Sequence, residues 1–105
     1  MFLVHLIRLK FKDMKVIHEQ YENKGAFVAQ EDGKNAGEMT YSKAGDKMII
    51  IDHTEVDSAF GGKGVGKKMV LAAVDFAREH HIKILPLCPF AKAAFDKDES
   101  IQDVL

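Results

Sequence analysis

The stretch Gly61-Gly62-Lys63-Gly64-Val65-Gly66-Lys67-Lys68 separates two segments of different periodicity. Before it stands the apolar run Met48-Ile49-Ile50-Ile51, which predicts a buried strand. After it, apolar residues recur at helical spacing over residues 65–80. The order strand, glycine loop, helix is the feature around which the rest of the fold is predicted.

The same stretch has the properties of an anion-binding site. The backbone N–H groups that open a helix have no partner inside it, and they carry a partial positive charge. Four glycines within six residues let a ligand approach the main chain, because no Cβ stands in the way. The expected ligand is a phosphate or diphosphate, and a plain glycine turn is the alternative. Further positive charge comes from Lys63, Lys67 and Lys68.

Length and composition restrict the class of protein. A chain of 105 residues with a net charge of -1 fits one domain and argues against a nucleic-acid partner. The single cysteine, Cys88, excludes an internal disulfide and fits a cytoplasmic protein. No apolar run is long enough to span a bilayer, and no spacing of histidine, cysteine and carboxylate side chains indicates a metal site. We expect residues 14–105 to form the domain and residues 1–13 to be an extension, because Met14 precedes a credible first strand.

The remaining patterns predict an α+β fold. Its mixed sheet would combine an antiparallel meander with one parallel crossover, a central helix and a short C-terminal helix. Asp32-Gly33 indicates a short hairpin, and residues 100–105 are a weakly specified tail. The predicted strands cover residues 15–21, 26–30, 36–42, 47–56 and 83–88, and the predicted helices cover residues 65–80 and 91–97.

The strand over residues 47–56 changes character half-way. Its first half is apolar on both faces, which predicts a central strand covered on both sides. Its second half is polar, as expected where a strand ends at a site. Alternation along the strand places His53 and Glu55 on one face and Asp52 on the other.

Three known phosphate-loop patterns can be compared with the glycine stretch. The dinucleotide pattern fails, because Lys67 and Met69 stand where glycine is required. The nucleoside triphosphate pattern fails at Lys68, where a hydroxyl should bind magnesium. The segment Gly64-Val65-Gly66 fits the third pattern, the loop that binds acetyl-coenzyme A ahead of a helix.

Together with Ile51-Asp52-His53-Thr54-Glu55-Val56 upstream and Cys88-Pro89-Phe90-Ala91-Lys92 downstream, this loop resembles the GNAT superfamily of N-acetyltransferases. The chain looks most like the small YjdJ-type branch of that superfamily. It departs from the usual loop at Gly61, where arginine or glutamine is common.

The resemblance implies a binding site for acetyl-coenzyme A as co-substrate. The central strand and the next parallel strand would separate, and the backbone near Val56 would bond to the pantetheine arm. The main chain at Gly62, Lys63, Gly64, Val65, Gly66 and Lys67 would hold the pyrophosphate. Lys67 or Lys68 would reach the 3′-phosphate.

The implied reaction is direct acetyl transfer to an amine of a small molecule, protein or peptide. His53 is the candidate base, and Glu55 either orients the imidazole or is the base itself. Cys88, expected at the end of its strand, either protonates the leaving thiolate or accepts the acyl group. Structural roles are the alternatives, namely a histidine bonded within the sheet and a buried apolar cysteine.

Two departures from the superfamily keep a second function open. Many members use a tyrosine as the acid, but Tyr21 and Tyr41 both precede the loop. The usual C-terminal strands are also missing, so the acceptor side would be open or completed by a second subunit in a homodimer. The alternative is a module that binds acyl-coenzyme A without turning it over.

Overall fold

A computed structural model describes residues 14–105, which form one five-stranded sheet. The strands β1 to β4 pair antiparallel in chain order, and β4 pairs parallel with β5 at the end of the described sheet. The predicted meander with one parallel crossover is confirmed. The strands are β1 (Met14–Gln20), β2 (Lys24–Glu31), β3 (Lys34–Lys43), β4 (Met48–Val56) and β5 (Lys83–Pro86).

Two α-helices follow the predicted order. Helix α1 (Val65–His80) connects β4 to β5, and helix α2 (Pro89–Lys97) follows β5. The short 3-10 segments Ser58–Phe60 and Glu99–Val104 flank these helices. We call the side of the sheet that packs against α1 the helix face, and the opposite side the outer face. The buried side of α1 consists of Val65, Gly66, Met69, Val70, Ala73, Val74 and Ala77.

The turn between β2 and β3 confirms the hairpin predicted from Asp32-Gly33. Both residues have positive φ, 51° at Asp32 and 78° at Gly33. Two successive left-handed residues make the type I′ turn, whose twist matches that of paired strands. The hairpin places Glu31, the last residue of β2, opposite Lys34, the first residue of β3.

The prediction that the apolar half of β4 is covered on both sides is wrong. Ile49 and Ile51 are buried on the helix face, whereas Met48 is 36% exposed and Ile50 is half-buried. Among residues 14–105 no helix packs on the outer face of β4, and Met48 and Ile50 are partly exposed there. Length and hydrophobicity alone did not distinguish a strand covered on one face from one covered on both.

The C-terminal part of the chain also differs from the predictions. Strand β5 ends at Pro86, and α2 begins at Pro89, two residues before the predicted start. Cys88 is therefore the residue that caps α2 and does not belong to the strand. Residues 99–104 are an ordered 3-10 segment that buries Ile101 and Val104, so they are not a weakly specified tail.

The expected extension at residues 1–13, and with it the expected native start at Met14, lies outside the residues that the structure describes.

Candidate active site

Over the stretch where β4 pairs with β3, β4 contains one residue more than β3. Thr40 lies opposite His53, whereas the next residue, Tyr41, lies opposite Ile51. Asp52 is therefore an extra residue, and the strand bulges at this point. The bulge resets the alternation of side chains along β4 just before the segment that carries the predicted site.

His53 and Glu55 lie on the outer face, as the alternation predicts for a pair of residues two apart, and both are exposed. The prediction that Asp52 lies on the opposite face is wrong, because the bulge turns it to the same side. Its carboxylate accepts a hydrogen bond from Ser42 Oγ at 2.7 Å. This end of β4 thus presents an imidazole and two carboxylates to solvent.

After Ile51, β4 and the chain that follows β5 diverge. The carbonyl oxygen of Ile51 accepts hydrogen bonds from the N–H groups of Leu87 and Cys88, both at 3.1 Å. Beyond this point the chain after β5 turns into α2, whereas β4 continues as far as Val56. We call the space between residues 54–56 and the start of α2 the strand gap.

Backbone groups of β4 point into the strand gap. The N–H of Asp57 donates to the carbonyl of Ala36 at 2.9 Å, so the backbone groups of Asp57 face β3. Because the direction alternates along a strand, Thr54 and Val56 direct their N–H and C=O groups the other way. The pairing of β4 with β5 stops at Ile51, so within residues 14–105 no strand covers these groups.

The loop over residues 61–64, called the glycine loop below, leaves the start of α1 open. Gly62 and Gly64 have φ of +77° and +72°, a region that glycine enters without strain. Apart from their chain neighbours, no described residue has a heavy atom within 4 Å of the place where a Cβ would stand at either glycine. Gly64 offers no side chain to cap α1, so the N–H groups that open the helix have no bonding partner in the described residues. These groups belong to Val65, Gly66 and Lys67.

The lysines near the loop are not equivalent. Lys63 Nζ lies 3.2 Å from Glu31 Oε2, so its charge is shared with a carboxylate whose side chain is 8% exposed. Lys67 and Lys68 are exposed. Lys67 also lines an apolar cavity of about 530 Å³ between α1 and α2, together with Phe90 and Lys97. The structure therefore leaves Lys67 and Lys68 available to a ligand and holds Lys63 in an ion pair.

The start of α1 packs tightly against the start of α2. A Cβ at Gly66 would collide with the ring of Phe90, a side chain that is partly exposed to solvent. A side chain at Gly66 would force the Phe90 ring to shift, so glycine is favoured here by this close contact and not by a left-handed φ. Close approach of the two helix starts brings the glycine loop next to the strand gap.

Cys88 lies on the helix face and not beside His53. Its thiol is buried and lies 3.1 Å from Thr54 Oγ1, where either atom can donate the hydrogen bond. The Sγ atom also accepts from the N–H of Ala91 at 3.3 Å. The predicted residues consequently fall into two groups, one on each side of β4, with the strand gap between them.

A groove of about 500 Å³ lies on the outer face at the end of β4. Four carboxylate side chains line it, together with apolar residues of β1 and β2 such as Ile17. The groove reaches Val56, whose backbone also borders the strand gap. Its carboxylates belong to Glu19, Glu38, Glu55 and Asp57.

Two kinds of feature are absent from residues 14–105. No group of three or more histidine, cysteine, aspartate or glutamate side chains is arranged to hold a metal ion. Within the same residues no helix has the length and hydrophobicity needed to cross a membrane.

A family model described as GCN5-related N-acetyl-transferase matches residues 26–104. The chain belongs to this family. Members of the family have an N-acetyltransferase fold and use acetyl-coenzyme A to modify amine acceptors such as aminoglycosides or proteins. The match covers the whole of the glycine loop, the strand gap and both groups of predicted site residues.

Individual relatives agree with this GNAT assignment. The solution structure of a GCN5-like protein from Staphylococcus aureus is 41% identical, with 84% of this chain and 85% of that chain covered and a TM-score of 0.63. An aminoglycoside acetyltransferase from a soil metagenomic sample, solved with sisomicin, is 23% identical over 79% of this chain and 59% of its own, with a TM-score of 0.61, and so shows the fold alone.

The curated relatives match a shorter region. Protein NATD1 of Xenopus tropicalis is 38% identical over 50 residues, which are 48% of this chain and 46% of that protein. Human protein NATD1 is 34% identical over 50 residues, which are 44% of its length. The matched region thus spans less than half the length of these relatives.

Sequence reasoning missed three residues near the site. Thr54 bonds to Cys88, Glu31 holds Lys63, and Phe90 covers Gly66. Strand alternation alone would have placed Thr54 on the face opposite His53. No local pattern links Glu31 to a residue 32 positions later.

Proposed function

We propose that the protein is an acetyl-coenzyme A-dependent N-acetyltransferase that acts on an amine, and that it belongs to the YjdJ-type branch of the family. The observation that carries the proposal is the adjacency of two sets of unpartnered backbone groups. One set is at Thr54 and Val56 in the strand gap, and the other opens α1 behind the glycine loop.

The first set suits the pantetheine arm, which carries two amide groups. An extended polar chain in the strand gap can bond to β4 as a further strand would. The second set suits the diphosphate, because unpaired N–H groups and the helix dipole both favour an anion there. The open space at Gly62 and Gly64 lets the phosphate oxygens approach the main chain.

The nucleotide end would continue along the cavity between α1 and α2. Its apolar lining includes Phe90, whose partly exposed ring offers a surface for a flat base. Lys67 and Lys97 flank this cavity and would pair with the 3′-phosphate. Lys68 lies one residue farther along α1 and is exposed, so it remains a second candidate for that phosphate.

On the outer face, Glu55 and His53 would act on the acceptor. A protonated amine would enter the carboxylate-lined groove and lose a proton before it attacks the thioester carbonyl. Glu55 both lines the groove and neighbours the strand gap, so it is the better-placed base, with His53 beside it. The negative charge that develops on the carbonyl oxygen would be stabilised by a β4 backbone N–H.

On the helix face, Cys88 would serve the leaving thiolate. The hydrogen bond between its thiol and Thr54 Oγ1 gives a path for a proton to reach the strand gap. The same contact orients Sγ for an alternative role as acyl acceptor. Conversion of Cys88 to serine, followed by intact mass measurement after incubation with acetyl-coenzyme A, distinguishes these roles.

Binding at the glycine loop is tested with Gly64→Asp and the matched control Gly45→Asp. Both residues have a φ above +70° and open space around them, so the two variants share the backbone strain and the added charge. We expect Gly64→Asp to weaken coenzyme A binding by at least about tenfold in calorimetry, because the new carboxylate repels the diphosphate. Gly45→Asp should bind as the wild type does. Equal affinities in the two variants, or no heat with the wild type, would refute the site.

A non-catalytic module that holds acyl-coenzyme A is the second candidate. It is favoured by the positions of the two tyrosines, since Tyr41 is buried and bonded to His18, and Tyr21 follows β1 at the opposite edge of the described sheet from β5. Neither can serve as the acid at the strand gap. Amine-dependent release of free coenzyme A that falls by about 10²–10⁴ in Glu55→Gln or His53→Gln, with unchanged coenzyme A affinity, would exclude this candidate.

A further inference from the structure

The ion pair between Lys63 and Glu31 links the glycine loop to the sheet. The Nζ–Oε2 distance is 3.2 Å, and the Glu31 side chain is 8% exposed whereas that of Lys63 is 40% exposed. Glu31 lies at the end of β2 and is paired in register with both neighbouring strands. One end of the pair is thus rigid, and the other belongs to the loop.

Lys63 is the one residue of the glycine loop that has a side chain beyond hydrogen. Glycine has the largest conformational freedom of all residues, so a loop of this composition is intrinsically hard to order. Besides its bond to Glu31, the Lys63 ammonium lies 5.4 Å from the centre of the Phe60 ring. These two contacts of the Lys63 side chain hold the middle of the loop in place.

We propose that Glu31 is a positioning residue for coenzyme A: by holding Lys63, it orders the glycine loop so that the N–H groups opening α1 face the diphosphate. The inference rests on the proposed function. Lys63 then acts as an anchor, and its charge is not a direct ligand of the phosphates. Lys67 and Lys68 remain to interact with the nucleotide.

Removal of the Glu31 charge has two opposing effects on coenzyme A binding. It releases the Lys63 ammonium, which would attract the diphosphate, and it releases the loop, which must then be ordered when the ligand binds. A solvent-exposed ammonium contributes little, because water and salt screen it. The cost of ordering glycines is not screened. The loss of order should therefore dominate, and increasingly so at high salt.

The test is a double-mutant cycle on coenzyme A affinity with Glu31→Gln, Lys63→Met and the double variant. Methionine keeps an apolar stem over Phe60 and removes the charge. We expect each single variant to bind coenzyme A about tenfold more weakly, which equals about 1.4 kcal/mol, and the double variant to bind no more weakly than the singles. If Lys63 contacts the diphosphate itself, Lys63→Met will weaken binding equally in both backgrounds and Glu31→Gln will not, which would overturn the proposal.

Two controls separate loop ordering from other causes. Asp96→Asn removes the same charge from the exposed pair between Lys92 and Asp96, and it should leave the affinity unchanged. Pantetheine, which lacks the diphosphate, should bind the wild type and Glu31→Gln equally. If Asp96→Asn loses as much affinity for coenzyme A, the effect is one of net charge. If Glu31→Gln also loses affinity for pantetheine, the effect is general damage to the structure.

A measurement without ligand keeps this inference distinct from the proposed function. Amide hydrogen exchange at Gly62 and Gly64 should be faster in Glu31→Gln and in Lys63→Met than in the wild type. If the wild type fails to bind coenzyme A while these amides still exchange faster, the proposed function fails and the anchoring role remains. If the wild type binds coenzyme A but these amides exchange no faster in the variants, the anchoring role is refuted and the proposed function stands. Lys63→Met decides the matter if Glu31→Gln does not fold, because Lys63 is partly exposed.

Discussion

A methyl group at Gly25 would collide with two parts of the core. A Cβ there would stand 2.6 Å from the carbonyl oxygen of Glu19 and would overlap the phenol of Tyr41. Backbone cannot move aside, and Tyr41 is held by its bond to His18. The absence of a side chain at Gly25 is therefore a packing requirement of the meander, independent of any positive φ.

We predict that Gly25→Ala lowers the free energy of unfolding by about 1–3 kcal/mol, the usual cost of overpacking a core. Gly61→Ala is the control, because a Cβ there would meet only Ser58 O at an ordinary 3.5 Å and its φ is −60°. The control should stay within about 0.5 kcal/mol of the wild type. Urea unfolding followed by circular dichroism measures both, and equal midpoints would contradict the packing argument.

Among the elements, the C-terminal 3-10 segment contributes to the core through apolar contacts and to the surface through charge. Ile101 and Val104 are buried against α1 and α2. On the surface, Arg78 donates to both carboxylate oxygens of Asp103, at 3.0 and 2.7 Å, and to the carbonyl of Ser100. The two kinds of contact stabilise the same segment by different amounts.

We predict that Ile101→Ala lowers the free energy of unfolding by about 2–5 kcal/mol, because it removes a buried side chain and leaves a cavity. Asp103→Asn should change it little, since water screens this exposed ion pair. Thermal unfolding of the two variants measures the difference. A larger loss in Asp103→Asn than in Ile101→Ala would show that the segment is held by its charges.

The elements that the sequence predicted well have strong local patterns. The helix over residues 65–80 and the hairpin at Asp32-Gly33 are examples, since periodicity and turn chemistry act over a few neighbours. The bulge at Asp52 was missed, because it arises from the pairing of β4 with β3 and leaves no mark on either strand alone. The contact of Cys88 with Thr54 was missed for the same reason, as it depends on where β5 stops and α2 starts.

For the whole domain, the attachment of β1 depends on a half-buried histidine. His18 stacks on Phe27 with ring centroids 4.2 Å apart, meets the edge of Phe76 from α1, and bonds to Tyr41 through Nε2 at 2.6 Å. Burial lowers the pKa of His18 below its usual 6.5, and the positive charges of His80 and Lys43 act in the same direction. The folded state thus binds a proton at His18 less readily than the unfolded chain does.

The sign of the pH dependence follows from that shift. The contribution of His18 to stability is fully present above pH 6.5 and is lost as the pH falls through the unfolded and then the lowered folded pKa. We therefore predict that the urea midpoint decreases between pH 7.5 and about pH 5, and that His18→Gln reduces the slope of this decrease. A slope as steep in the variant as in the wild type would assign the effect to other groups.

Beyond the bulge at Asp52, the number of residues in β4 decides which way each side chain and backbone group faces. Deleting Asp52 itself would remove the bulge and keep the later residues in register with β3, whereas deleting one residue at positions 53–55 would turn the later side chains of β4 to the opposite face. A mutational library built on this scaffold can therefore include the loss of Asp52, but insertions and deletions at positions 53–55 should inactivate nearly every clone.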